Sequence, residues 1–378
     1  MMNPPAFLTL MCASAMAALL SPATAQDSAP AAAAAPHPSM HIRDAVGRAG
    51  MAAVLLPPTE ARPPVVLLAG GANFPHAKPG ATTPEERGEK VYYSEVEALL
   101  HKRHGQVQAA PPAVANLPRP VAYAAFVPTD KGMLIAGGCN AEGHTAKVSR
   151  VDYTENELRM ETLPDLPRPL AYPAFAMVAN KVYVIGGQEK PDAATCLNSC
   201  YMLDLADINA GWKEMTPMPG ARMLAAAGVV DGVVYVMGGC SLAPDAQGNG
   251  QRTYLKDVLC YDPGSNTWAK VATEMPETNV GMANPLPVIG EKLYVVGGDP
   301  GNYYRAALEG KAPAVHPGQS RAVYSYTPSS AEWKHEGDLP IGVATMPAVV
   351  VGGVICTISG ETHPGVRTPL IIPFNTNK

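Results

Sequence analysis

The sequence predicts an all-β chain built from six repeated units, and three observations carry that prediction. An apolar β-forming run closing on Gly-Gly recurs at residues 65–71, 133–138, 182–187, 233–239 and 293–298, and the tail repeats it at 353–360 with Ser359 in place of the first glycine. The copies are spaced by roughly fifty to sixty-five residues, the length of a four-stranded blade stretched by its loops. Turn formers are dense, with 35 Gly and 39 Pro, and no helical period survives a long window. Six such units close into a β-propeller, four antiparallel strands per blade around a central channel.

Taken in order, residues 1–25 read as a cleaved leader. An apolar run ends in Ser21-Pro22-Ala23-Thr24-Ala25, an A-x-A cleavage pattern, although no Lys or Arg precedes it. About fourteen apolar residues are short for a membrane span, so export to the periplasm or beyond is expected, without stable membrane insertion. Residues 26–39 are an Ala/Pro-rich linker with nothing to pack, and 40–378 form the propeller. Within each unit a strand ends in Gly-Gly, where glycine tolerates the backbone geometry and the close approach of a neighbour. A second strand then ends near a turn such as Tyr261-Asp262-Pro263-Gly264, followed by a packing tryptophan, Trp268; Trp212 and Trp333 hold the same place elsewhere. Next come Leu-Pro or Met-Pro (Leu166-Pro167, Met218-Pro219, Met275-Pro276, Leu339-Pro340) and a small-residue strand. This is the grammar of kelch repeats. Short helical turns are expected at residues 93–101 and 304–310. The last blade takes three strands from the C-terminal tail and its fourth from His41-Ile42, which would leave no exposed edge.

Charge is sparse, 28 Lys+Arg against 33 Asp+Glu, so no basic face is available for nucleic acid. Of the cysteines, Cys196 and Cys200 are close enough in sequence to bridge a loop in an oxidising compartment. The histidines show no ligand spacing, so no metal site is expected, and no Ser or Cys sits in a nucleophile elbow.

Two features point to chemistry. Arg48, Arg119, Arg168 and Arg222 each lie in the turn leading into an inner strand. If equivalent positions ring the channel, these arginines converge on one mouth, where a planar guanidinium fork suits a carboxylate. The tail motif Ser359-Gly360-Glu361-Thr362-His363-Pro364-Gly365-Val366-Arg367 holds a carboxylate and a guanidinium, and no other copy of the Gly-Gly run is followed directly by Glu. A carboxylate beside arginines in a partly enclosed cleft can act as a general base, and Glu361 is the candidate.

Three loops together resemble the cyclically permuted branch of the sialic acid mutarotase family, the periplasmic N-acetylneuraminate epimerases. The family's G-G-A-N-F-P is intact at Gly70-Gly71-Ala72-Asn73-Phe74-Pro75, and its G-K-K-V-Y-Y-D-D is similar to Gly88-Glu89-Lys90-Val91-Tyr92-Tyr93-Ser94-Glu95. Its H-P-G-F appears as His316-Pro317-Gly318-Gln319, and its G-E-x-x-P-G-x-R-T is complete at Gly360, Glu361, Pro364, Gly365, Arg367 and Thr368. The resemblance implies Glu361 as proton acceptor with Arg367 beside it, and Asn73 with the arginines of the turns at the substrate, a sugar acid. It implies interconversion of the anomers of free sialic acid by ring opening and closure, with no cofactor. A non-catalytic kelch module binding a glycan or a protein is the alternative. A galactose-oxidase-like copper enzyme would need a clustered Tyr/His ligand set, which the sequence does not display.

Overall fold

A computed structural model describes residues 41–59, 64–77, 84–101, 107–109, 115–154 and 157–376. The expected leader and linker lie outside these described residues. Six antiparallel sheets follow one another along the chain. Blade 1 is built on Ala49–Leu56, Val65–Asn73 and Glu95–His101, with Val107–Ala109 outermost. Blade 2 runs Ala125–Thr129, Gly132–Ala136, Val148–Thr154, Glu157–Leu163, and blade 3 runs Ala174–Val178, Lys181–Ile185, Cys200–Asp204, Lys213–Glu214. Blade 4 is Ala226–Val230, Val233–Met237, Val258–Asp262 and Thr267–Lys270, and blade 5 is Val288–Ile289, Lys292–Val296, Ala322–Thr327 and Glu332–Asp338. Blade 6 has Ala348–Val351, Val354–Ile358 and Ile371–Asn375. Its fourth position is held by the start of the described chain: His41 bridges Leu370, and the Ile42 amide donates to the Pro369 carbonyl at 2.8 Å. The predicted seam is present, as one bridge and not a full strand. Among the described residues no helix is long and apolar enough to cross a membrane.

The blades are held face to face by the apolar residues of their two inner strands. Between blades 3 and 4, Tyr183, Ile185, Ala225, Val236 and Tyr261 form one buried cluster. Each fully buried side chain of this size contributes about 1.5–3 kcal/mol relative to exposure. The tryptophans after the third strands act at the rim. The Trp268 indole donates to the Thr216 carbonyl of blade 3 and the Trp212 indole to the Pro164 carbonyl that follows blade 2, each at 2.8 Å.

At the axis the repeats close into two rings of backbone hydrogen bonds. In the first, the second glycine of each pair donates to the residue leading into the next blade's inner strand. These bonds are Gly71 to Val121, Gly138 to Leu170, Gly187 to Arg222, Gly239 to Asn279, Gly298 to Val343 and Gly360 to Arg48, at 2.7–3.0 Å. In the second, Gly50, Tyr123, Tyr172, Leu224, Gly281 and Thr345 each donate to the carbonyl of their counterpart in the preceding blade, at 2.5–3.0 Å. The rings run in opposite senses, and both pass through the junction of blades 6 and 1. Just beyond the second ring, Phe126, Phe175 and Met282 help enclose a cavity of about 60 Å³ on the axis.

The first residue of each glycine pair is left-handed, with φ of 58–69° at the glycines and 59° at Ser359. At Gly70 a Cβ would lie 2.3 Å from the Val121 carbonyl oxygen, so glycine is required there by contact as well as by backbone. Ser359 resolves the same crowding chemically. Its hydroxyl accepts the Arg48 amide at 2.7 Å and sits 2.7 Å from the Thr368 carbonyl, to which it donates. The sixth copy thus carries a side-chain staple at the seam.

Two expectations are corrected. Residues 95–101 are a strand, not a helical turn, because Glu95-Val96-Glu97-Ala98 alternates: Val96 and Ala98 are buried while Glu95 and Glu97 reach Arg48 from the other face. The second expected helix is present at Asn302–Leu308. Cys196 and Cys200 are free thiols and do not pair. Cys200 opens the third strand of blade 3 and packs into the interface with blade 4, whereas Cys196 packs on Met223, Cys240 and Val280. Burial pushes their thiols up, to about 11 at Cys196 and about 12 at Cys200.

Candidate functional site

The residue after each glycine pair pairs with a residue at the start of its own inner strand or ahead of it. These six positions are Ala72, Cys139, Gln188, Cys240, Asp299 and Glu361, arranged round the mouth of the channel. Glu361 is fixed there by reciprocal 2.9 Å backbone bonds with Ala344. It begins a short hairpin, Glu361–His363 with Val366–Arg367, turned by Pro364-Gly365 and registering Glu361 opposite Arg367. Asp299, the other carboxylate of the set, has both oxygens engaged, by the Tyr254 hydroxyl and the Gly301 amide, each at 2.8 Å. Glu361 has one oxygen held by Arg367, and its second has no hydrogen-bond partner among the described residues.

The Arg367 guanidinium joins three blades. It donates to Glu361 in blade 6 and to the Ala72 carbonyl of blade 1 at 3.4 Å, and it lies 5.3 Å above the ring of Phe74. Its charge also acts on the phenol of Tyr123 in blade 2. Tyr123 holds a left-handed backbone, φ 54°, which costs a bulky residue on the order of 1–3 kcal/mol. Its ring lies across Gly50, where a Cβ would come within 2.4 Å of it. Burial, with Arg367 and Glu361 acting in opposite directions, pushes the Tyr123 phenol up to about 12.

Beside Tyr123 sit Tyr172, at 4.9 Å between ring centroids, and Lys90, whose ammonium is 4.7 Å from the Tyr123 ring and 5.1 Å from that of Tyr92. Lys90 has no carboxylate within salt-bridge distance among the described residues. Burial pushes the Cys139 thiol up, with Lys90, Tyr172 and Tyr92 acting against it. His144 packs edge-on to Tyr172, its Nδ1 3.0 Å from the Gln188 carbonyl, and burial lowers its pKa. The clustered tyrosines and imidazole that the sequence did not display are therefore present in space. Among the described residues no three His, Cys, Asp or Glu side chains are grouped as metal ligands.

Of the residues singled out from sequence, Glu361 and Arg367 are brought together, but the four arginines of the turns do not converge. Arg48 and Arg222 hold the equivalent position, their carbonyls accepting from Gly360 and Gly187 in the first ring. Arg119 and Arg168 stand two residues earlier, where Val121 and Leu170 take that place. The Arg222 guanidinium bridges its own blade, donating to both oxygens of Asp257 at 2.8 and 2.9 Å and to the Gly238 carbonyl at 3.1 Å. Arg48 does the same in blade 1. It reaches the Gly70 carbonyl at 3.3 Å, Asp44 at 2.9 Å and Glu95 at 3.1 Å, with its guanidinium 3.8 Å over Tyr93. Both are clamps between strands, their charge already matched by acids. Arg168 lies 3.6 Å from Glu189 with both side chains about half exposed, and Arg119 faces Asp165 and Glu142. Asn73 is wholly buried, donating to the Gly47 carbonyl at 2.9 Å and to Asp44 at 3.2 Å while accepting from Tyr93 at 2.8 Å, so it positions the first loop.

Sequence reasoning missed Tyr123, Tyr172 and Lys90. A signal was there: Arg119-Pro120-Val121-Ala122-Tyr123 and Arg168-Pro169-Leu170-Ala171-Tyr172 are the same pentapeptide pattern, and in both the tyrosine is the residue delivered to the axis. The loops of the other motifs also meet here. Phe74 lies beneath Arg367, and the loop holding His316 docks on the Glu361 hairpin through a 3.0 Å bond from the Gln319 amide to the Thr362 carbonyl.

Residues 163–316 match a family model described as N-acetylneuraminate epimerase. That segment spans blades 3 and 4 and part of blade 5 and stops before the Glu361 hairpin. The chain is similar to proteins named N-acetylneuraminate epimerase from Haemophilus influenzae strain 86-028NP, at 31% identity over 55% of this chain and 58% of the relative. The protein of that name from Pasteurella multocida strain Pm70 is 29% identical over 54% of this chain and 57% of the relative. The chain thus spans somewhat over half the length of the curated relatives it matches. A solved structure described as "Structure of YjhT" is 25% identical, covering 57% of this chain and 65% of that one with a TM-score of 0.48.

Proposed function

We propose that this protein is a mutarotase of free N-acetylneuraminate, interconverting its α and β anomers by opening and reclosing the pyranose ring. The observation that carries the reading is Glu361, a carboxylate held at one oxygen by a buried arginine and unpartnered at the other among the described residues, set at the mouth of the channel. The names carried by the similar proteins supply the substrate class. Glu361 takes the proton of the anomeric hydroxyl, a general-base role for which one open oxygen and a fixed hairpin are what is needed. Arg367 orients that carboxylate by holding one of its oxygens. The sugar's own carboxylate, attached at the anomeric carbon, is received by Lys90, whose ammonium lies against tyrosine rings with no acid in salt-bridge reach among the described residues. The leader read at residues 1–25 exports the chain, so the reaction takes place on sugar freed outside the cytoplasm.

The test is to add purified protein to freshly released α-N-acetylneuraminate and follow the anomers by proton NMR. Faster equilibration is expected, falling by about 10²–10⁴-fold in Glu361→Gln. A folded wild-type protein that leaves the anomers at their spontaneous rate would sink the proposal. Binding without acceleration would instead assign a propeller that only captures the sugar.

A further inference from the structure

Opening a pyranose moves two protons: the anomeric hydroxyl loses one while the ring oxygen gains one, and Glu361 accounts for the first alone. Tyr123 stands where the second is needed. Its backbone is held left-handed in the axial ring, and the floor beneath it is a glycine, Gly50, with no space for a Cβ under the aromatic face. Its phenol lies in the field of the Arg367 guanidinium that holds Glu361. Of the three tyrosines gathered here, Tyr123 alone lies in the field of both Glu361 and Arg367, whereas Tyr92 and Tyr172 face Lys90, Cys139 or one another. His144 is engaged by the Gln188 carbonyl, and His316 accepts the Gly318 amide at 3.0 Å.

We infer that Tyr123 donates its phenolic proton to the pyranose ring oxygen as Glu361 accepts that of the anomeric hydroxyl, an assignment that rests on the mutarotase reading. The bond between the anomeric carbon and the ring oxygen breaks. Glu361 becomes a carboxylic acid, Tyr123 a phenolate, and the sugar an open-chain ketone with a new hydroxyl. Rotation about the adjoining carbon–carbon bond offers the other carbonyl face. On closure the new hydroxyl returns its proton to the phenolate as its oxygen attacks, and the carbonyl oxygen takes back the proton from Glu361. No co-reactant is consumed. The Arg367 guanidinium steadies the phenolate while it lasts. At neutral pH burial keeps the phenol in the donating form.

Tyr123→Phe removes the hydroxyl and keeps the ring on Gly50. The expected result is a fall of about 10²-fold in kcat, in the range of one lost acid catalyst, with KM and the thermal midpoint nearly unchanged. The alkaline limb of the wild-type rate profile should disappear with the phenol, its neighbours Glu361, Arg367, Lys90, Cys139, Tyr92 and Tyr172 being retained. Fluorotyrosine placed at position 123 is a second test that spares packing, and should move that limb to lower pH. An active wild type, an inactive Glu361→Gln and a fully active Tyr123→Phe would overturn the assignment and leave the mutarotase reading standing. A loss confined to KM, or an alkaline limb indifferent to fluorination, would overturn it too. A wild type without acceleration would instead remove the reading on which it rests.

Discussion

Arg222–Asp257 in blade 4 and Arg367–Glu361 in blade 6 are buried to the same degree, 3% and 19% exposed for guanidinium and carboxylate side chains in both pairs. They differ in what is left over. Arg222 meets Asp257 through two parallel bonds, and a glycine carbonyl takes a further donor, so neither partner has unused capacity facing the channel. Glu361 meets its arginine through one oxygen, and that arginine leans on a phenol and an aromatic ring. Burial alone therefore does not separate a structural ion pair from a chemical one. Saturation does: the first pair is complete within its blade, and the second needs another molecule to be complete.

The comparison can be broken most severely at Arg222. Replacing it with Met leaves Asp257 buried and unmatched, which should cost about 3–5 kcal/mol in denaturant unfolding while the surviving folded fraction turns over at the wild-type rate. Glu361→Gln should lose turnover, while its amide oxygen can still accept from Arg367, so unfolding should shift less than in Arg222→Met. Acid sharpens the contrast. Burial would raise the Asp257 carboxyl, but the hydrogen bonds and charge of Arg222 outweigh it and hold it below the ordinary aspartate value. A carboxyl depressed in the folded state contributes stability that is full above its unfolded value of about 3.9 and is lost as pH falls through the folded value. The stability gap between wild type and Arg222→Met should accordingly narrow below about pH 4, seen in unfolding curves taken across that range. A gap independent of pH would show that Arg222 acts through packing alone.

A smaller effect is expected at Lys90. Lys90→Gln should raise KM for the sugar acid about tenfold with kcat little changed, because binding the carboxylate equally in ground and transition states affects KM alone. A methyl ester of the substrate should feel no such change, and equal losses with both would remove Lys90 from that role. The smallest effect belongs to the seam. Ser359→Ala keeps a Cβ in a left-handed position and loses the staple, at about 1–2 kcal/mol. Ser359→Gly relaxes the backbone while losing the same bonds, so it should destabilise less, and the order of the two melting temperatures tests whether the hydroxyl or the conformation matters more.

Much of this architecture was legible in the sequence because the Gly-Gly run marks a position that sterics hold invariant: the next blade's carbonyl leaves no room for a side chain. The same logic identified the sixth copy despite Ser359, and made Glu361 conspicuous as the one glutamate directly following its run, Asp299 being the other acid in that position. The arginines misled because the loops between blades vary in length, and a shift of two residues separates Arg119 and Arg168 from the register of Arg48 and Arg222. Sequence shows that an arginine lies in a turn; it does not show the acid waiting across the strand, and Asp257 and Glu95 become partners only when the sheet forms. Residues 95–101 misled in a related way, since Leu99-Leu100 blurs an alternation that Val96 and Ala98 otherwise keep. Tyr123 escaped notice because a tyrosine among small residues reads as core until the left-handed turn places it on the axis.

The counter-running rings have a consequence for how such a site can change over generations. Along both rings each ring amide is matched to a ring carbonyl, so these backbone groups bind one another and leave little for a guest. A helix terminus would have lent a fixed positive or negative bias to whatever docked there; a closed circle lends none. Discrimination at the mouth consequently belongs to interchangeable side chains such as Glu361, Lys90 and Tyr123, and substitutions among them can redirect the preference for a ligand while the wheel that carries them stays intact.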